Sequence, residues 1–348
     1  MRALVVTAPR EAAVQDVPEP VAGPGELLIE VDRVGICGTD VELYRGEMAY
    51  IDQGFTHFPI RLGHEWTGRV SGVGSSEDEE WLGRRVTGDT MLGCGRCEYC
   101  RSGAHHVCPD RFEIGIRDGW PGALAEKMLV PTRFAHAIPE NVSLAAAALV
   151  EPGGNSLRAV RAAAVPPGGS LLILGSGTIG LLAAQFALAA GAEVHVGGVR
   201  RSSLELAASL GVARTWQLDE LAASPGSRFD AVIEATSSEA SPALAARLVR
   251  PGGRVVLIGV STAPSLVDTR DLVLKDVTAV GILSASPGLA GAIESFADGS
   301  VTPERIVSEV IALEEVPSRL EGHRGPRAAP GPKVHVDPRL VGAEGSGR

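Results

Sequence analysis

The sequence predicts an α/β chain in two parts, a β-rich first part and a parallel, doubly wound sheet after it. Three observations carry this reading. At 348 residues the chain exceeds the usual size of a single domain. Its rhythm changes near Pro166-Pro167-Gly168-Gly169, from short strands cut by Gly and Pro to buried strands alternating with helices. A glycine-rich turn, Gly175-Ser176-Gly177-Thr178-Ile179-Gly180, follows directly on a buried apolar run.

Taken in order, the runs 3–6, 26–31, 67–73 and 124–130 read as strands, with 18–25 as a Gly/Pro connector. The acidic run 77–80 reads as an exposed turn. After the change of rhythm, 171–174, 194–196, 230–234, 254–259 and 277–282 read as buried strands. Helices are expected over 179–190, 204–210 and 242–249. The short segment after Ser300 ends in a strand at 333–336 and is expected to pack back on the first part. The expected division is 1–153 with 288–348 for a discontinuous first domain, and 154–287 for the second. The small, polar tail from Gly342 is expected to fray.

Composition excludes several classes. A net charge of −10 opposes nucleic-acid binding, which needs cations to displace counterions. No apolar run approaches a membrane span or a signal peptide, so a reducing cytoplasm is the expected compartment. Lysines occur only at 127, 275 and 333. Five cysteines, four of them in one short stretch, do not read as a disulfide framework in a chain of this length.

Cys94, Cys97, Cys100 and Cys108 have the spacing C-x2-C-x2-C-x7-C, which suits a closed tetrahedral structural zinc. Iron–sulfur spacings differ from this one, and the acidic balance disfavours a nucleic-acid zinc ribbon. His105 and His106 read as surface residues, because four thiolates already complete the shell.

Cys37 stands apart in Gly35-Ile36-Cys37-Gly38-Thr39-Asp40. With His64 and Glu65 of Gly63-His64-Glu65, and Glu151 of Val150-Glu151-Pro152, it offers a sulfur, an imidazole and a carboxylate for an open zinc site. Glu65 and Glu151 compete for the carboxylate role. Asp40 is placed to hydrogen-bond the second nitrogen of His64.

The turn Gly175 to Gly180 lies between a strand and a helix, the context that gives a G-x-G-x-x-G run meaning. Its glycines allow a tight turn, close approach of a pyrophosphate and helix packing, and the helix start offers amides to phosphate. The next strand ends in Gly197-Gly198-Val199-Arg200-Arg201. It carries no carboxylate to repel a 2′-phosphate, Gly198 leaves room, and Arg200 and Arg201 can bind that phosphate. NADP(H) is therefore favoured over NAD(H).

These motifs, in this order, resemble the zinc-dependent medium-chain dehydrogenase/reductase family over almost the whole chain. Within it they look most like the polyol, sugar, threonine and aminocyclitol dehydrogenases. The resemblance implies a GroES-like catalytic domain plus a Rossmann domain, an active site in the cleft between them, and a homodimer or homotetramer. It implies two zinc ions per chain, one held by Cys37, His64 and one of Glu65 or Glu151. It implies hydride transfer between NADP(H) and a small-molecule alcohol or ketone, a polyol, sugar or cyclitol. Thr39 matches the family's relay hydroxyl, and Asn155 is expected near the nicotinamide. Two departures stand out. Glu42 occupies the place of a frequent relay histidine, and Gly153-Gly154-Asn155 replaces bulkier residues. A zinc-free enone or quinone reductase is disfavoured, since that branch typically lacks the cysteine lobe and Cys37. A non-catalytic NADPH-binding regulator is disfavoured by the intact Cys37, His64 and Glu151 set.

Overall fold

A computed structural model describes residues 1–226, 228–325 and 328–341. It divides the chain into two units. The first comprises Met1–Glu151 and the described residues of Val307–Ala329 and Lys333–Arg348; the second comprises Pro152–Ile306 and Pro330–Pro332. The return to the first unit thus comes at Val307, later than the expected 288. The tail from Gly342 lies outside the described residues.

Nine strands precede Glu151: β1 (Arg2–Ala8), β2 (Glu11–Asp16), β3 (Glu26–Gly35), β4 (Glu65–Val73), β5 (Arg85–Gly88), β6 (Met91–Leu92), β7 (Phe112–Glu113), β8 (Lys127–Pro131) and β9 (Ala135–Ala137). Among the described residues, six follow in the second unit: β10 (Ser170–Leu174), β11 (Glu193–Gly198), β12 (Arg214–Gln217), β13 (Phe229–Glu234), β14 (Val249–Leu257) and β15 (Thr278–Gly281). The chain then supplies β16 (Val307–Ile311) and β17 (Lys333–Val336) to the first unit.

The main sheet of the first unit runs β16-β17-β3-β4-β5-β9, with β8 also pairing β3. Its strands alternate because one face is buried. Leu27, Ile29 and Val31 of β3 point into a core with Leu4, Leu62 and Trp66, while Glu30 is exposed. Each such fully buried Leu or Ile contributes about 1.5–3 kcal/mol. The expected strand 124–130 begins only at Lys127, because Leu124 is bonded elsewhere. Its N–H donates to Leu62 and its carbonyl accepts from Leu4. The 77–80 run lies in a short 3₁₀ segment, Ser76–Trp81, with no buried residue.

The sheet of the second unit is all parallel, in the order β12-β11-β10-β13-β14-β15. Helices such as Thr178–Ala189 and Ser241–Leu248 link successive strands. Burial on both faces explains why 171–174, 231–233 and 255–257 read as unbroken apolar runs. The strand order reverses beside β10, and the carboxyl ends there are where such sheets bind ligands. Among the described residues, no helix is long and apolar enough to cross a membrane.

Candidate active site

Cys37 sits where β3 gives way to helix α1 (Gly38–Arg45). The fully buried Asp40 of α1 holds that junction. Its carboxylate accepts from the Cys37 N–H at 2.8 Å and from the Gly63 N–H at 3.1 Å. One side chain thereby ties the turn bearing Cys37 to the turn bearing His64. Gly63 has φ +98°, and a Cβ there would lie 2.8 Å from the Leu124 nitrogen, so only glycine serves.

His64 is buried, and among the described residues its Nδ1 has no hydrogen-bond partner. That atom lies 3.7 Å from Asp40 Oδ1, too far for the hydrogen bond expected from the sequence. Asp40 has spent its oxygens on backbone amides instead. Burial alone would lower the His64 pKa. Asp40, Cys37 and Glu151 outweigh it and hold the imidazole well above its ordinary value.

Glu65 is the first residue of β4, buried against Gly35, where a Cβ would meet its Oε2 at 2.1 Å. Its partner is Lys333 of β17, a residue whose role sequence reasoning missed. Lys333 Nζ donates to Glu65 Oε2 at 2.5 Å and to the Ile36 carbonyl at 2.8 Å. Burial would depress the lysine, but Glu65, Cys37 and Asp40 together raise its pKa and keep it charged.

One ligand atom each from Cys37, His64 and Glu65 lies within 4.8 Å of the others. Glu151 does not join that group. It is buried at the start of the helix Val150–Ala163, and burial, opposed by the charge of His64, pushes its carboxyl up to about 7. A sulfur, a nitrogen and a carboxylate oxygen, with a buried imidazole nitrogen unsatisfied, fit a divalent ion. Thr39 and Glu42 lie on α1, both half-buried and three residues apart, so they share a helical face. Burial, aided by Glu47, raises the Glu42 pKa.

The other cysteines converge as well. Cys94 and Cys100 sulfurs are 4.0 Å apart, and those of Cys97 and Cys108 are 3.7 Å apart. Sulfurs at tetrahedral corners around zinc would stand about 3.8 Å apart, so the four fit a closed site. His105 and His106 are not the surface residues expected. His106 is buried, and His105 Nε2 lies 2.7 Å from the buried Asp89 carboxylate.

In the second unit β10 runs into Gly175, which has φ +117° and whose Cβ would meet the Ala235 carbonyl at 2.5 Å. Gly177 caps the helix Thr178–Ala189, and a Cβ there would meet nothing within 4 Å, so its face is open. A Cβ on Gly180 would stand 1.9 Å from the Gly175 carbonyl, so that glycine permits packing of helix on turn. Ser176 is buried beneath the turn, between Gly175 and Gly177. Gly198 serves packing as well: a Cβ there would strike Ser176 Oγ at 2.4 Å. The Cβ direction at Gly198 thus faces the glycine-rich turn. Arg200 caps the helix Arg201–Ser209, and Arg200 and Arg201 are exposed. Asn155 is half-buried in its helix. The glycines before it answer to close packing, since Cβ atoms at Gly153 and Gly154 would press on Phe296 at 2.8 Å and Ala285 at 3.0 Å.

Family profiles match in two places: the alcohol dehydrogenase GroES-like domain over residues 23–140 and the zinc-binding dehydrogenase domain over residues 178–298. L-threonine 3-dehydrogenase of Escherichia fergusonii is 31% identical over 275 residues, spanning 77% of this chain and 79% of its own. That of Klebsiella pneumoniae is 33% identical over 277 residues, again 77% and 79%. Among solved structures, a Sinorhizobium meliloti 1021 protein bound to NADP superposes with TM-score 0.87 at 31% identity, over 97% of this chain and 99% of that one. Alcohol dehydrogenase of Thermus sp. ATN1 does so with TM-score 0.84 at 30% identity, over 97% and 99%.

Proposed function

Since the chain belongs to the zinc-dependent medium-chain dehydrogenase/reductase family, we propose that it transfers hydride between NADP(H) and a secondary alcohol or ketone of a polyol, sugar or cyclitol. The observation that carries this reading is the meeting of Cys37, His64 and Glu65 donor atoms within 4.8 Å. L-Threonine is the second reading, because curated relatives 31% and 33% identical are L-threonine 3-dehydrogenases.

Cys37, His64 and a carboxylate hold the catalytic zinc, with Glu65 favoured over Glu151 by its place in the donor group. Cys94, Cys97, Cys100 and Cys108 hold the structural one. Bound in the open site, zinc supplies Lewis acidity toward the alcohol or ketone oxygen. Bound at the turn Gly175 to Gly180, the nicotinamide cofactor supplies the hydride acceptor or donor.

The chain's own residues place and move protons. Asp40 fixes the Cys37 and His64 turns through their amides. Lys333 holds Glu65 by a direct hydrogen bond and aims it. The Thr39 hydroxyl accepts the proton leaving the alcohol as it passes its own onward, and Glu42 takes the relay role. Its raised pKa brings it nearer the working pH of a proton acceptor. Asn155 lies at the nicotinamide end of the cofactor. Arg200 and Arg201 neutralise the 2′-phosphate, a selectivity favoured by the absence of a carboxylate after β11. A homodimer or homotetramer in a reducing cytoplasm goes with this reading.

The test is a panel of polyols, sugars, cyclitols and L-threonine assayed with NADP and NAD, before and after metal removal. Turnover on a panel member that ends on chelation and returns with zinc is expected. Undiminished turnover by metal-free protein rejects the proposal.

A further inference from the structure

One groove in the first unit uses none of the residues of the proposed reaction. Two hollows of about 310 and 230 Å³ share Arg61, Trp120 and Pro121 as lining. Val5, Val17 and Pro59 add apolar wall to one, and Leu129 to the other. Hydrogen bonds fix both sides. The Gly122 N–H donates to the Arg61 carbonyl at 3.0 Å, and Trp120 Nε1 donates to the Leu129 carbonyl at 3.2 Å. The edge of Phe112 supports the indole at a centroid distance of 5.7 Å.

Arg61 is the chemical oddity here. Its guanidinium is half-buried, and among the described residues no carboxylate pairs with it. Burial alone acts on it, pulling its pKa down with no counter-charge to offset the pull. A partly desolvated cation left in this state carries a cost that an incoming anion removes. Glu26 lines one hollow, but its Oε2 accepts from the Gly23 N–H at 3.0 Å. A doubly charged phosphate would face that carboxylate and the apolar walls with only one cation to meet it. A carboxylate carries a single charge, matches the planar guanidinium fork, and can bring an apolar body for the indole and prolines.

We propose that this groove is a binding site for a small amphipathic carboxylate, its head on Arg61 and its apolar body against Trp120, Pro59 and Pro121. The probe is 4-fluorophenylacetate, followed by ¹⁹F NMR on the zinc-loaded enzyme. Saturable binding at roughly millimolar concentration is expected for a ligand of this size. The Arg61→Gln variant should weaken it by roughly tenfold to a hundredfold, as loss of a charge-assisted bond does, and Arg61→Lys by less. The His64→Gln variant, altered in the open metal site, should bind the probe as the parent does. The neutral 4-fluorophenethyl alcohol should bind more weakly in the groove, and inorganic phosphate should not displace the probe. The proposal is overturned if the parent does not bind, if Arg61→Gln binds equally well, if His64→Gln abolishes binding, or if phosphate competes on equal terms.

Discussion

Lys333 reaches Glu65 across 268 residues of chain, and the pair is buried on both sides, with side chains 3% and 2% exposed. Removing one member of such a pair strands the other charge, at a typical cost of about 3–5 kcal/mol. Lys333→Met should therefore lower stability by about that amount in urea unfolding, with Lys333→Arg recovering part of it. An unchanged unfolding midpoint in Lys333→Met would show that Glu65 does not depend on this lysine. His335, two residues along the same strand, is fully buried with both ring nitrogens unpartnered among the described residues. Burial first, then the charges of Lys333 and Arg33, lower its pKa from 6.5 to about 3. The folded state thus keeps it neutral while the unfolded chain protonates it below about pH 6.5. Its linked stability is complete above that pH and is lost as pH falls toward 3. His335→Leu should flatten the decline of Tm between pH 7 and 4, and an equally steep decline would exclude His335 as a source of it. Residue type pointed from sequence to Cys37 and His64 with either Glu65 or Glu151, and only the fold gathers the Glu65 donor with the other two. Lys333 and His335 were illegible, because only strand pairing brings them to β3.

At the scale of elements, the strand–turn–helix around Gly175 was readable because local pattern suffices: an apolar run, a G-x-G-x-x-G turn and a helix-length apolar segment. The cysteine lobe was readable for a similar reason, since its four thiols share one short stretch. Short, polar or edge elements were not. β12, with sequence Arg-Thr-Trp-Gln, and β16 carry too little alternation to announce themselves. The role of Gly198 was also hidden, since its constraint comes from Ser176 on a neighbouring turn. On the proposed reading, the element following β11 would set cofactor choice. Arg200→Ala should weaken NADPH binding roughly tenfold or more, the scale of a charge-assisted phosphate bond, and leave NADH nearly unchanged. Equal weakening of both, in direct titrations, would remove the phosphate role from this arginine.

For the whole molecule, the change of rhythm in the sequence announced two units, but their second boundary lay beyond it. The helix Leu289–Ala297 is amphipathic, and nothing local says which core receives its apolar face. Phe296 answers that by stacking on Phe186 and pressing on Gly153, both of the second unit. The first unit resumes only when β16 pairs with β17 and β17 with β3. That pairing delivers Lys333 to Glu65, so the return of the chain completes the candidate metal site. All the donors of both metal groups belong to the first unit and the dinucleotide turn to the second, so losing a metal ligand should spare cofactor binding. The most direct measurement is zinc content by mass spectrometry, alongside alcohol oxidation and NADPH binding, in parent protein and Cys37→Ser. Two zinc ions per parent chain are expected, and in the variant one zinc, no hydride transfer and intact NADPH binding. Full zinc content with parental turnover in Cys37→Ser would contradict it.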